Sequence, residues 1–96
     1  MARLYTVHGG TVHVEIPTSD TAVPSALNIM QRAVGGYIEL CHYHTLDGKN
    51  YGCLVDEEGM LRHKPINTNR KLIDRLGFDP KVAGDVLVVE IGKELK

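Results

Sequence analysis

A small α+β domain, with two short helices on a mixed, mainly antiparallel sheet of five or six strands, is the fold class this sequence predicts. Three patterns predict it. Apolar and polar residues alternate on both sides of Gly9-Gly10, and an apolar stripe at helical spacing runs up to Gly35-Gly36. The stretch from Val86 to Ile91 is apolar at both parities apart from Glu90. Period two marks strands and a period near 3.6 marks a helix.

Taken in order, residues 2 to 8 and 11 to 16 read as a hairpin, because a Gly-Gly pair supplies the positive φ angles of a tight turn. With Gly9-Gly10 as the loop, Tyr5 faces Val14 and Val7 faces Val12. Arg3, Tyr5, Val7, Val12, Val14 and Ile16 then share one face, and Thr6, His8, Thr11, His13 and Glu15 the other. Residues 17 to 23 read as a loop into a helix whose first residue is Pro24, where a missing N–H costs nothing. Leu27, Met30 and Val34, with Ala26 and Ala33, form its inward stripe, and Gly35-Gly36 ends it. Tyr37 to His44 and Tyr51 to Val55 are the third and fourth strands. A turn at Asp47-Gly48 sets His44 across from Tyr51, His42 across from Cys53 and Leu40 across from Val55. Met60-Leu61 is a candidate sixth strand. Asn67 or Asn69 caps a short helix over Arg70 to Leu76, with Gly77 past its end. Val86 to Ile91 is then a central strand, covered on both sides. Two short helices suffice for one sheet face, so a second copy of the chain is expected on the other, in a homodimer or higher homo-oligomer.

Composition narrows the function. Ninety-six residues make a single domain, 1–96, that can bury roughly 60–65% of its extended surface. With 11 basic and 12 acidic side chains the net charge is −1, which argues against duplex nucleic acid and membrane surfaces as partners. No apolar run is long enough to span a bilayer, and no basic leader with an apolar segment opens the chain, so a cytoplasmic protein is expected. Cys41 and Cys53 are too few for a disulfide scaffold and fall on opposite faces of the expected hairpin, so both are read as reduced thiols. No nucleophile elbow, zinc-protease helix, phosphate loop or dinucleotide fingerprint is present. Catalysis and cofactors are therefore not expected.

One segment is electrostatically odd. Arg62, His63, Lys64, Arg70 and Lys71 fall within ten residues that contain no acid, interleaved with Asn67 and Asn69. Acids normally occupy the first turn of a helix, where the dipole is positive, yet Arg70 and Lys71 stand there. Amides, cations and free N–H groups together suit a phosphate or carboxylate. The leading expectation is a non-catalytic protein that binds an anionic, nucleotide-like small molecule through 62 to 71. Its alternative is a protein-binding inhibitor or adaptor acting through a sheet face or an edge strand. A third reading, a metal-dependent hydrolase, rests on His42, His44 and Cys53, which share one face of the second hairpin with no fourth ligand dictated by spacing.

The run Met30-Gln31-Arg32-Ala33-Val34-Gly35-Gly36-Tyr37-Ile38-Glu39 resembles the signature of a family called domain of unknown function 3846, carried here by Gln31, Gly35, Gly36, Tyr37 and Glu39. The turn Asp56-Glu57-Glu58-Gly59, the Pro65-Ile66-Asn67 triplet and the segment Val82 to Val89 resemble its later motifs in order. The resemblance implies no assigned activity. Members occur in bacteria and their phages, which implies an accessory factor of a phage or mobile element. After Asn67 this chain departs from the pattern, carrying Arg70-Lys71 where the family has a small residue and a threonine.

Overall fold

The computed structural model describes residues 2–16 and 23–91; the loop expected over 17 to 22 lies outside them. The chain runs β1 (Ala2–Tyr5), β2 (Thr11–Val14), α1 (Val23–Val34), β3 (Ile38–Leu46), β4 (Lys49–Asp56), α2 (Arg70–Leu76) and β5 (Val86–Ile91). The strands form one five-stranded sheet in the order β2-β1-β5-β4-β3, with every neighbouring pair antiparallel. Among the described residues no strand pair is parallel, so the parallel component of the expected mixed sheet is not found there. The sixth strand is absent too: Met60-Leu61 lies in successive turns, closed by Arg62 N to Glu58 O and His63 N to Met60 O, and both side chains are exposed.

β5 is the central strand, as its double apolar parity requires. Val86 and Val88 pack on one face with Tyr5, Cys53, Val55 and Leu72, while Leu87 packs on the other with Ala2, Leu4, Val34 and Leu54. The first cluster lies under α2 and the second under α1. Each helix therefore covers one face, and the expected gathering of both helices on one side is corrected. In α1, Met30, Ala33 and Val34 face the sheet as expected, but Leu27 is left 42% exposed. In α2, the Asn69 side-chain oxygen Oδ1 accepts from Lys71 N at 2.9 Å and Leu72 N at 3.4 Å, and Gly77 at φ 82° closes the other end.

Two registers differ from expectation. Tyr5 pairs with Thr11, Leu4 with Val12 and Ala2 with Val14, so Gly9-Gly10 is not the whole turn. The loop takes in Thr6 to Gly10: Thr6 N donates to Gly10 O at 3.0 Å and Gly10 N to Thr6 Oγ1 at 3.2 Å. Side chains from far along the chain hold it open. Asp85 Oδ1 accepts from Val7 N at 2.9 Å, and the Asn69 amide donates to Thr6 O and Gly10 O at 3.0 and 2.9 Å. The odd shift changes which residues share a face. Val12 and Val14 join Leu4 rather than Tyr5, and His13 faces Arg3.

In the second hairpin Asp47 and Gly48, at φ 52° and 77°, make the expected two-residue turn, and His44–Tyr51 and His42–Cys53 pair as anticipated. Beyond them the register slips at a bulge between Leu40 and His42, so Leu40 pairs with Leu54 and not with Val55. The extra residue is Cys41. Instead of facing away, it packs with Cys53 against the α2-side core, which corrects the expected opposite faces. Hydrogen bonding between the thiols pushes Cys53 up, helped by burial, and draws Cys41 down.

Candidate functional site

The segment expected to hold an anion divides into three structural roles. Asn67 is fully buried, and its side-chain amide donates to Tyr5 O at 2.9 Å and Gly84 O at 3.0 Å while its oxygen accepts from Asn69 N at 2.9 Å. Together with the Asn69 cap, it joins the first loop, the β5 approach and the start of α2 through backbone groups. Neither asparagine keeps a side-chain group for a ligand. Arg70 and Lys71 are exposed on the first turn of a seven-residue helix, with no carboxylate partner among the described residues. His63 is exposed and left-handed at φ 58°.

Arg62 and Lys64 belong elsewhere, at the C-terminal end of α1. There the helix ends because Gly35, at φ 80°, and Gly36 both donate to Gln31 O, at 2.9 and 3.1 Å. Lys64 Nζ supplies the cation such an end favours, donating to Val34 O at 2.9 Å and Gly35 O at 3.4 Å. The same ammonium lies 2.8 Å from Asp56 Oδ2, with Arg62 Nε at 3.5 Å. Asp56 is only 4% exposed although charged, and its other oxygen accepts from Glu58 N at 3.0 Å. The hydrogen bond from Lys64 holds its carboxyl below the usual carboxylate range, against the opposing effect of burial. Gly36 is required by this carboxylate, since a Cβ there would stand 2.6 Å from Asp56 Cγ and 2.8 Å from Oδ2.

Above this ion pair opens a groove of about 350 Å³, lined by Asn28, Gln31, Arg32, Gly35, Gly36, Tyr37 and Arg62. Asn28, Gln31 and Arg32 sit one turn apart on one side of α1. Tyr37 leaves the helix end with 63% of its surface exposed. Arg62, also 3.5 Å from Glu58 Oε1, arrives from the turn after β4. Two guanidinium groups, two amides and an open phenol ring thus surround one space. Gln31, Gly35, Gly36 and Tyr37 of the expected signature are among its lining residues. Glu39 is not: it is exposed on edge strand β3, opposite Val55.

The family model for the domain of unknown function DUF3846 matches residues 1–95 of the 96. The chain belongs to this family. No curated protein and no solved structure matches it. Family membership leaves the chemistry to be read from the residues.

The histidines have other work. His42 meets Phe78 edge-on with ring centroids 4.7 Å apart, and His44 stacks on Tyr51 at 5.3 Å. Arg75 Nε donates to His44 Nε2 at 3.2 Å, so that nitrogen is an acceptor and the ring is neutral. Burial, Arg75 and His42 all hold His44 below the ordinary histidine range. No group of three His, Cys, Asp or Glu among the described residues could hold a metal ion. No described helix is long and apolar enough to cross a membrane.

Sequence reasoning passed over Asp56, Arg32 and Arg75. Asp56 carried one signal: an acid closing an apolar strand, with cations Arg62 and Lys64 shortly after it. Nothing in the local sequence marks Arg32 or Arg75 apart from the other bases of the helices.

Proposed function

We propose that this protein is a small non-catalytic binding protein for an anionic, nucleotide-like ligand, seated in the groove at the end of α1. One observation carries the reading: the signature residues Gln31, Gly35, Gly36 and Tyr37 share that groove with Arg32 and Arg62. The chemistry of the lining suits such a ligand part by part. The Tyr37 ring offers a stacking platform to a base, which is tolerant of base identity. The Gln31 and Asn28 amides can meet a base edge, and the two arginines can fork onto a phosphate. The helix end would by itself repel an anion, but Lys64 occupies its carbonyls and offsets it. Of the original basic segment, the reading keeps Arg62 and gives up the start of α2.

The test is calorimetric titration of nucleoside monophosphates against Tyr37→Ala, Arg62→Gln and the double change Arg70→Ala with Lys71→Ala. Loss of one stacked base or one forked phosphate contact is expected to weaken binding by about tenfold or more in each of the first two. The double variant should bind as the parent does. Binding lost only in the double variant would move the site to α2, and no binding at all would remove it.

A further inference from the structure

We infer that the sheet face carrying α2 holds a second ligand site, for the phosphate monoester of a small organic body, built around Arg75. α2 has seven residues and is about 10 Å long, whereas the six-residue β5 beneath it runs about 20 Å. The helix cannot roof the whole face. A hollow of about 210 Å³ remains, lined by Arg3, Lys49, Tyr51, Arg75, Val88 and Glu90 among others.

Arg75 is the unusual member. It is half-buried, yet it is held only by neutral groups: Nε to His44 Nε2 at 3.2 Å, Nη1 to Tyr5 Oη at 3.4 Å, and its plane 4.6 Å above the Tyr51 ring. No ion pair joins it to a carboxylate among the described residues. A guanidinium has five N–H donors, and these bonds use two, so a forked pair is free for an oxyanion. The stack of His44, Tyr51 and Arg75 fixes that fork in place before any ligand arrives, which lowers the ordering cost of binding.

The charge of the hollow selects the ligand. Arg3, Lys49 and Arg75 stand against Glu90 alone, an excess of two positive charges. A phosphate monoester carries about −1.5 to −2 at neutral pH and matches it, where a single carboxylate would leave an excess. The space equals the liquid volume of about seven waters, larger than a phosphate group needs. Val88 and the Tyr51 ring give the remaining room an apolar wall, so the esterified body is small and apolar or aromatic.

Phenyl phosphate is the probe, titrated into the isotope-labelled full chain and followed by amide chemical shifts. Saturable shifts are expected at Arg3, Tyr51, Val88 and Glu90, with inorganic phosphate moving the same amides at lower affinity. Arg3→Gln and Lys49→Gln alter exposed side chains, so both should keep a native spectrum while weakening binding roughly tenfold each. Arg75→Lys keeps the charge without the fork and should weaken it comparably. Arg62→Gln, in the other groove, should leave it unchanged. The proposal is overturned if no saturable shift occurs at these four amides, or if Arg3→Gln and Lys49→Gln bind with the parent's affinity.

Discussion

Replacing Asn67 by alanine tests how much of this fold hangs on one side chain. The amide is fully buried and makes hydrogen bonds to Tyr5 O, Gly84 O and Asn69 N, all between 2.9 and 3.0 Å. Each such bond contributes about 1 kcal/mol net, and an abandoned partner that stays dry costs about 1–3 kcal/mol. Losing all three puts the expected destabilisation at about 3–5 kcal/mol, a large share of the 5–15 kcal/mol typical of a domain. Asn67→Asp sharpens the test. One carboxylate oxygen can still accept from Asn69 N, but the other faces two carbonyl oxygens in a sealed site. It should be at least as damaging at pH 7. That carboxyl is favoured protonated in the folded state, so folding takes up a proton and the variant recovers stability as pH falls from 7 towards the unfolded value of about 3.9. Urea unfolding followed by circular dichroism measures both. A loss under about 1 kcal/mol for Asn67→Ala would refute the reasoning, because it would mean that water reaches those backbone groups.

Gly36→Ala should cost about 2–4 kcal/mol in the same assay, since the new methyl displaces the Asp56 carboxylate from Lys64; Gly48→Ala, with nothing within 4 Å, should lose only about 1–2 kcal/mol from its φ of 77°. Equal losses at the two positions would contradict the close approach. Asp56 has its carboxyl held low, so its contribution is complete above about pH 5 and fades as pH falls through the depressed folded value. Thermal melts of Asp56→Asn and parent should therefore differ most near neutrality and converge towards pH 2. Finally, an aromatic disulfide reagent at pH 8 should modify one thiol in the native chain, and Cys41→Ser should abolish it. Cys53 is fully buried with its thiol pushed up, and should react only on unfolding.

How far the sequence is legible depends on the range of the forces involved. Asp47-Gly48 places the second hairpin correctly because both residues adopt positive φ locally, with no help from elsewhere. Asn69 and Gly77 bound α2 for a similarly local reason. Gly9-Gly10 misleads because its loop is held by Asp85 and Asn69, more than fifty residues away in sequence. The bulge at Cys41 is equally unreadable, since β3 mixes polar and apolar side chains at both parities and one extra residue breaks no clear alternation. The same limit governs the site. Seven basic and amide side chains close in sequence look like one cluster, yet folding sends the asparagines inward, Lys64 and Arg62 to Asp56, and Arg70 and Lys71 out to water.

The linear chain alone determined the types of the seven elements that form, the two helix ends, the central place of β5 and the family. The structural features follow from periodicity, from glycine's left-handed freedom or from a run apolar on both sides, and the family from the resemblance carried by the Met30 to Glu39 run. Tertiary structure alone decided that the helices take opposite faces, that two thiols meet, that Asp56 anchors the end of α1, and that Arg75 overlooks an uncovered hollow. Those outcomes depend on side chains tens of residues apart competing for a few buried hydrogen-bond partners and for one sheet's two surfaces. No local pattern encodes the winner of that competition.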